Sequence, residues 1–197
     1  MGTDWSGSLA KVEAELLPAD LQTTAYPVLI MMSGLPGSGK SYLGRRLAEE
    51  LPAVVIESDS VRKVLFSPPT YSADESAMVH HVCQEVMRRL LRQGVRVIFD
   101  ATNLVEFQRE IIYGLARHSG AGLLIVQTMA PEDVVRERLE RRKQEQESLS
   151  DADWRVYRRM ATRQQRIRHS HLCIDTSKDL DEAVRKVVHA VRRCTKF

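Results

Sequence analysis

The stretch VLIMMSGLPGSGKSY, Val28 to Tyr42, joins an apolar run to a glycine-rich turn and then to helix-forming residues. Val28–Met32 are consecutive apolar residues, the pattern of a strand covered on both faces. Gly34-x-x-x-x-Gly39-Lys40-Ser41 matches the phosphate-cradling loop pattern, in the strand-before, helix-after setting that supports it. The glycines let the backbone curl so that successive N–H groups converge on one anion. The following helix aims its positive end at the same point. Leu35, Pro36, Gly37 and Ser38 fill the turn, so Gly34 through Tyr42 form the expected wrap around a nucleotide's phosphates. Lys40 is expected to reach the β- and γ-phosphates, and the Ser41 hydroxyl suits a Mg²⁺ ligand.

Outward from this loop, short apolar runs alternate with amphipathic stretches. The runs are Val28–Met32, Ala53–Ile56, Val95–Phe99, Leu123–Met129 and a weaker Leu172–Ile174. Helical patterns cover roughly 40–51, 73–92, 104–118, 131–143, 151–167 and 179–193, and 8–17 reads as a further helix docked outside. Such alternation predicts an α/β fold: a three-layer α/β/α sandwich around a mostly parallel five-stranded sheet. Ser72-Ala-Asp-Glu75 reads as a capping box, Pro131 fits a first helical turn, and Ser150-Asp-Ala-Asp153 can open the next helix. The expected organisation is an N-terminal helical extension over 1–27 and one nucleotide-binding domain over 28–197.

Composition excludes several classes. The chain has 197 residues, 43% hydrophobic and 28% charged, as in a soluble globular domain. No apolar run approaches the ~20 residues that cross a bilayer. The N-terminal segment carries acids and lacks a long apolar core, so a cytoplasmic location is expected. Cys83, Cys173 and Cys194 share no CxxC spacing and are odd in number, which favours reduced thiols. The net charge is only +3, but 136–168 holds eleven Arg or Lys against six acids. An ion-paired helix face explains most of these, although Arg also suits bidentate phosphate contacts.

Two strand ends carry candidate chemistry. Glu57-Ser-Asp-Ser-Val-Arg62 follows the second run, on the rim where ligands of parallel sheets bind. Asp59 there can accept a proton from an attacking hydroxyl, or simply cap a helix beginning at Ser60 or Val61. Arg62, one turn later, can clamp an anionic group of an acceptor. The third run ends at Asp100, a usual place for an acid that holds Mg²⁺ and its water, although Arg96 interrupts the apolar run. His80 and His81 read as a solvated face beside Gln84 and Glu85. His169 and His171 lack a third ligand in sequence for a metal. Trp154 and Tyr157, at i and i+3, read as packing.

GLPGSGKS, SDSVR and VIFDATN, with Arg109 soon after, together resemble the P-loop kinase group that includes the 5′-hydroxyl polynucleotide kinases and related bacterial kinases. The likeness covers roughly 28–175. It implies a nucleotide-monophosphate-kinase-like fold, ATP and Mg²⁺ as cofactors, Asp59 as general base and Arg62 on acceptor phosphate. It also implies Asp100 at the metal, and Thr102, Asn103 and Arg109 with Asp100 on the acceptor side. Arg138-Leu-Glu-Arg-Arg142 resembles a lid, about 136–150, in which Arg138 or Arg142 crosses the phosphates, with Arg136 and Arg141 as exposed alternatives. The expected reaction passes the γ-phosphate to a hydroxyl: a polynucleotide 5′-end or nucleoside-like acceptor, or a small metabolite or antibiotic alcohol. The rival from another class is an NTP-hydrolysing or nucleotide-sensing module. Few aromatics surround the acceptor side, Ser67–Tyr71 offering one, where a reader of bases would gain from several.

Overall fold

The computed structural model describes residues 6–144 and 152–194. Five strands, β1 (Val28–Ser33), β2 (Ala53–Glu57), β3 (Arg96–Asp100), β4 (Gly122–Met129) and β5 (Leu172–Asp175), form one sheet in the order β2-β3-β1-β4-β5. Every pairing is parallel. Around it lie α1 (Ser6–Leu16), α2 (Lys40–Glu50), α3 (Ser58–Leu65), α4 (Ala73–Arg92), α5 (Glu106–His118), α6 (Glu132–Gln144), α7 (Trp154–Ala161) and α8 (Leu180–Cys194). This is the three-layer α/β/α architecture that the alternation predicted.

Strand periodicity divides the core into two layers. In β1, Leu29 and Met31 pack with Leu9, Val12 and the α4 stripe Val79, Val82, Val86 and Leu90. Val28, Ile30 and Met32 face the other way, onto Leu43 and Leu47 of α2 and Val184, Val187 and Val191 of α8. A strand sandwiched so needs apolar residues at every position, which is why β1 shows no alternation. Among the described residues no helix is long and apolar enough to cross a membrane.

Two expectations about helices change. The capping box at Ser72 is half formed: Ser72 Oγ accepts from Glu75 N at 3.2 Å, but the Glu75 carboxylate accepts instead from Thr70 and Tyr71. The pattern over 151–167 yields only α7, capped by Asp153, which accepts from Val156 N at 2.9 Å. Beyond α7 the chain leaves the helix because Gln165 N donates to Leu104 O and Ile167 is buried in the core. α3 begins at Ser58, with Glu57 at its N-cap position, so Asp59 lies inside its first turn rather than capping it.

Candidate functional site

The loop between β1 and α2 closes over Ser33–Gly39 through contacts that leave no room for side chains. Gly34 N donates to Thr102 O at 3.0 Å, tying the loop to the end of β3. A Cβ on Gly34 would lie 2.6 Å from Thr128 O, and one on Gly39 (φ +86°) would lie 2.7 Å from Thr176 Oγ1. Ser38 is buried, its Oγ 2.7 Å from Thr128 Oγ1. Leu35 and Pro36 carry the turn, and Gly37 adopts φ +78°. With Gly39 at the N-cap and no side-chain cap, the first-turn N–H groups of α2 lack intrahelical acceptors. Ser41 stands in that turn. The Tyr42 side chain is 61% exposed, so only its backbone belongs to the cradle.

Lys40 is buried and donates from Nζ to Leu35 O at 3.0 Å. Burial lowers its pKa; Asp100 and then Asp59 pull it back up, Arg142 lowers it further, and Glu57 raises it. The charges that act on this ammonium belong to four different elements: Asp100 of β3, Asp59 of α3, Arg142 of α6 and Glu57 of β2. Asp100 is almost wholly buried and its Oδ2 has no hydrogen-bond partner. A sealed carboxylate oxygen without a donor is costly unless a cation or its water completes it. With the Ser41 hydroxyl close behind Lys40 in sequence, this oxygen donor set fits Mg²⁺.

Glu57 is a functional candidate that sequence reading missed. It pairs in register with Asp100, and residues in register on parallel strands project to the same face. Burial raises its pKa, as does the Asp100 charge, while Ser60 Oγ, donating at 3.0 Å, and Arg45 oppose this. Its signal was an acid at the very end of β2. Thr128 and Thr176, at and beyond the ends of β4 and β5, were missed as well, because their role is to buttress the loop.

The arginines separate. Of the two arginines expected to cross the phosphates, Arg138 donates to Thr176 O and to Thr176 Oγ1, each at 2.8 Å, and so braces the back of the phosphate loop. The charge of Arg142 lowers the Lys40 pKa. Arg136 pairs with Glu140 on the exposed side and lies over the Trp154 ring. The lid positions 145–150 fall outside the described residues.

On the acceptor side three of the expected residues, Arg109, Asn103 and Arg62, have buried protein partners. Arg109 is fully buried, donating to Asn103 O, Gln165 O, Arg166 O and Glu106, so it holds the 103–106 turn against the segment after α7. Asn103, at φ +45°, donates from Nδ2 to Met32 O at 2.7 Å and is buried. Asn103 thus ties the turn after β3 to β1, while Arg109 ties it to the segment after α7. Thr102 offers its carbonyl to Gly34 N, and its side chain is half-buried. Arg62, expected to clamp an anion, is buried against Glu75 at 3.4 Å and Ser76 Oγ at 3.3 Å, with Tyr71 over its guanidinium. His80 is half-buried rather than solvated; burial lowers its pKa, and Arg62 adds to that. Trp154 and Tyr157 stack at 4.8 Å but remain half-buried. Tyr157 and Gln127 line a cavity of about 250 Å³ beside Leu35 and Ser38. His169 approaches Glu110 at 3.5 Å, with Glu106 alongside, but the Glu106 carboxylate is engaged by Arg109.

A family model described as an AAA domain matches residues 29–167. No curated protein matches the sequence. Among solved structures, a candidate kinase from Chloroflexus aurantiacus superposes with a TM-score of 0.70 at 22% identity, over 86% of this chain and 98% of that one. The APS kinase of Mycobacterium tuberculosis, solved with AMPPNP and APS, gives 0.65 at 20% identity, over 86% and 99%. A gluconokinase from Sinorhizobium meliloti gives 0.61 at 20%, over 88% and 96%. At these identities the likeness establishes the P-loop kinase fold.

Proposed function

The chain belongs to this AAA domain family, and from that premise we propose that it is a Mg²⁺- and ATP-dependent kinase that passes the γ-phosphate to an alcohol. The observation that carries the reading is Asp59, in the first turn of α3 at the rim of β2, whose charge raises the Lys40 pKa and for which a hydrolase or sensor would have no use as an acceptor-side base. The acceptor's O–H proton goes to Asp59 as its oxygen bonds to the γ-phosphorus. The bond from that phosphorus to the β–γ bridging oxygen breaks, and ADP leaves with the electron pair. Lys40 and Arg142 hold the negative charge that spreads over the phosphoryl oxygens. Ser41 and Asp100 would hold Mg²⁺, which neutralises charge on the β- and γ-phosphates when bound. Gly34 to Tyr42 grip the phosphates through backbone N–H groups.

Relatives named for small acceptors, APS and gluconate, support a small alcohol over a polynucleotide 5′-hydroxyl. The test is incubation with γ-labelled ATP and a panel of hydroxyl-ended oligonucleotides, nucleosides, sugars and antibiotic alcohols. Label moving to one acceptor class is the expected result. Label appearing only as inorganic phosphate, whatever is added, would favour the hydrolysing module.

A further inference from the structure

Arg62 occupies the acceptor-side position, one turn after Asp59, yet both terminal nitrogens of its guanidinium are already engaged, while its buried Nε has no hydrogen-bond partner. One terminal nitrogen donates to Glu75 Oε2 and the other to Ser76 Oγ, the Tyr71 ring lies 4.9 Å from its carbon centre, and the residue is only 8% exposed. Glu75 is not a casual partner. Its carboxylate also accepts from Thr70 N at 2.9 Å, Thr70 Oγ1 at 2.7 Å and Tyr71 N at 2.7 Å, so the Thr70–Tyr71 backbone and the first turn of α4 are built around it. Releasing Arg62 to a ligand would leave this carboxylate buried without its cation.

Among the described residues, the other charges at the end of β2 are the acids Glu57 and Asp59, and Arg45 is already paired with Glu57 at 3.9 Å. Glu57 and Asp59 stand at the end of β2 and start of α3, and Asp100 beside them is engaged with the metal in the proposal above. Half-buried His80 is next to Arg62, which disfavours its protonation. The basic residues of α7 lie beyond β4, on the other side of the phosphate loop, where Tyr157 and Gln164 border Leu35 and Gln127.

We propose that the acceptor is an uncharged or cationic alcohol, and that Glu75 sets this preference by neutralising Arg62. The inference rests on the kinase reading. An alcohol with a phosphate or carboxylate close to the reacting hydroxyl would meet the charges of Asp59 and Glu57 where Arg62 is already paired with Glu75 and Arg45 with Glu57, and like charges so juxtaposed discriminate against a ligand. A nucleic-acid end, with its 3′-phosphate near the 5′-hydroxyl, is disfavoured on this ground.

Two arms test it. In the first, protein saturated with Mg²⁺ and a non-hydrolysable ATP analogue is titrated with thymidine and with thymidine 3′-phosphate, followed by calorimetry. Wild type should show no preference for the phosphorylated probe. Glu75→Gln, checked by thermal melting, should bind thymidine 3′-phosphate at least tenfold tighter than wild type does, and Arg62→Met should match wild type. A tenfold wild-type preference for the phosphate that Arg62→Met abolishes would overturn the proposal, as would a folded Glu75→Gln without gain. Should Glu75→Gln not fold, the wild-type and Arg62→Met comparison decides alone. The second arm offers γ-labelled ATP with matched pairs: a nucleoside and its 3′-phosphate, a polyol and its acid, an amino alcohol and its N-succinyl form. Label should favour the uncharged or cationic member at least tenfold. Label favouring the anionic members overturns this inference but leaves the kinase reading intact. Label on no acceptor overturns the kinase reading, and the binding arm still decides whether Arg62 is neutralised.

Discussion

Arg138 and Arg142 are four residues apart on α6, yet Arg138 is bonded to Thr176 while Arg142 acts on Lys40. Their alanine variants should therefore fail differently. Arg138→Ala removes donors from Thr176 O and Thr176 Oγ1 and should cost about 1–3 kcal/mol of stability, read by chemical denaturation. Arg142→Ala should leave stability and nucleotide affinity near wild type while kcat falls by ~10³ or more, because its charge is needed when the phosphoryl group is in flight. Equal losses of kcat in the two variants would contradict the separation. Lys40→Ala should abolish transfer. Asp59→Asn keeps the shape of α3's first turn, and since Asp59 does not cap that helix, stability should hold. Transfer should nonetheless fall by ~10²–10⁴ with ATP affinity changed only a few-fold. The measurement is steady-state transfer with ATP and acceptor varied independently. Full activity in Asp59→Asn would end the general-base assignment.

At the scale of elements, the decisive junctions are those where loops are pinned by one buried side chain. Burial alone would raise the Glu75 pKa, but the hydrogen bonds from Thr70 and Tyr71 and the Arg62 charge outweigh it, and the net effect is a lowered value. A depressed folded pKa means stability that is fully present above the ordinary glutamate value of 4.5 and is lost as pH falls through the lower folded value. Wild type should thus lose stability on acidification below about 4.5, and Glu75→Gln should lose less over the same window. Denaturant midpoints across that range would read it, and parallel curves for the two proteins would refute it. Arg109 plays the matching part for the turn after β3. Arg109→Met leaves Gln165 O and Arg166 O without their Arg109 donor, Asn103 O with Ser33 Oγ alone and Glu106 without its cation, and should cost roughly 3–5 kcal/mol. An Arg109→Met protein with an unchanged thermal midpoint would show that the bonds are dispensable.

Over the whole molecule, α1 is tied to the sheet's helical cover. Leu9 and Val12 belong to the same buried cluster as α4, Lys11 Nζ donates to Val64 O at 2.6 Å, and Glu13 pairs with Arg89. Thr23 bridges Val95 and Thr24 N donates to Gly94 O, so the segment after α1 also joins the edge of the core at the foot of β3. Leu9→Ala should therefore destabilise the entire fold by about 2–5 kcal/mol in one cooperative transition, since its cavity opens against α4. Two separate transitions, with the nucleotide site unaffected by the first, would instead mark residues 1–27 as an independent extension.

What the sequence determined by itself was everything with a short-range signature. The apolar runs and their alternation with helical patterns dictated the parallel sheet, because a strand buried on both faces must be apolar throughout. The Gly-x-x-x-x-Gly-Lys-Ser spacing dictated the cradle, because only that backbone can point its N–H groups inward. Which side chains then face the ligand was decided in three dimensions. Arg62, Asn103 and Arg109 carry the right chemistry at the right spacing, but each found buried partners distant in sequence: Glu75 and Ser76, Met32, and the 165–166 backbone. Glu57 entered the site because β2 and β3 lie in register, a fact no local pattern encodes. Burial and pairing depend on what the other strands and helices bring to the same place, and so the charge that a ligand meets is a property of the packed molecule.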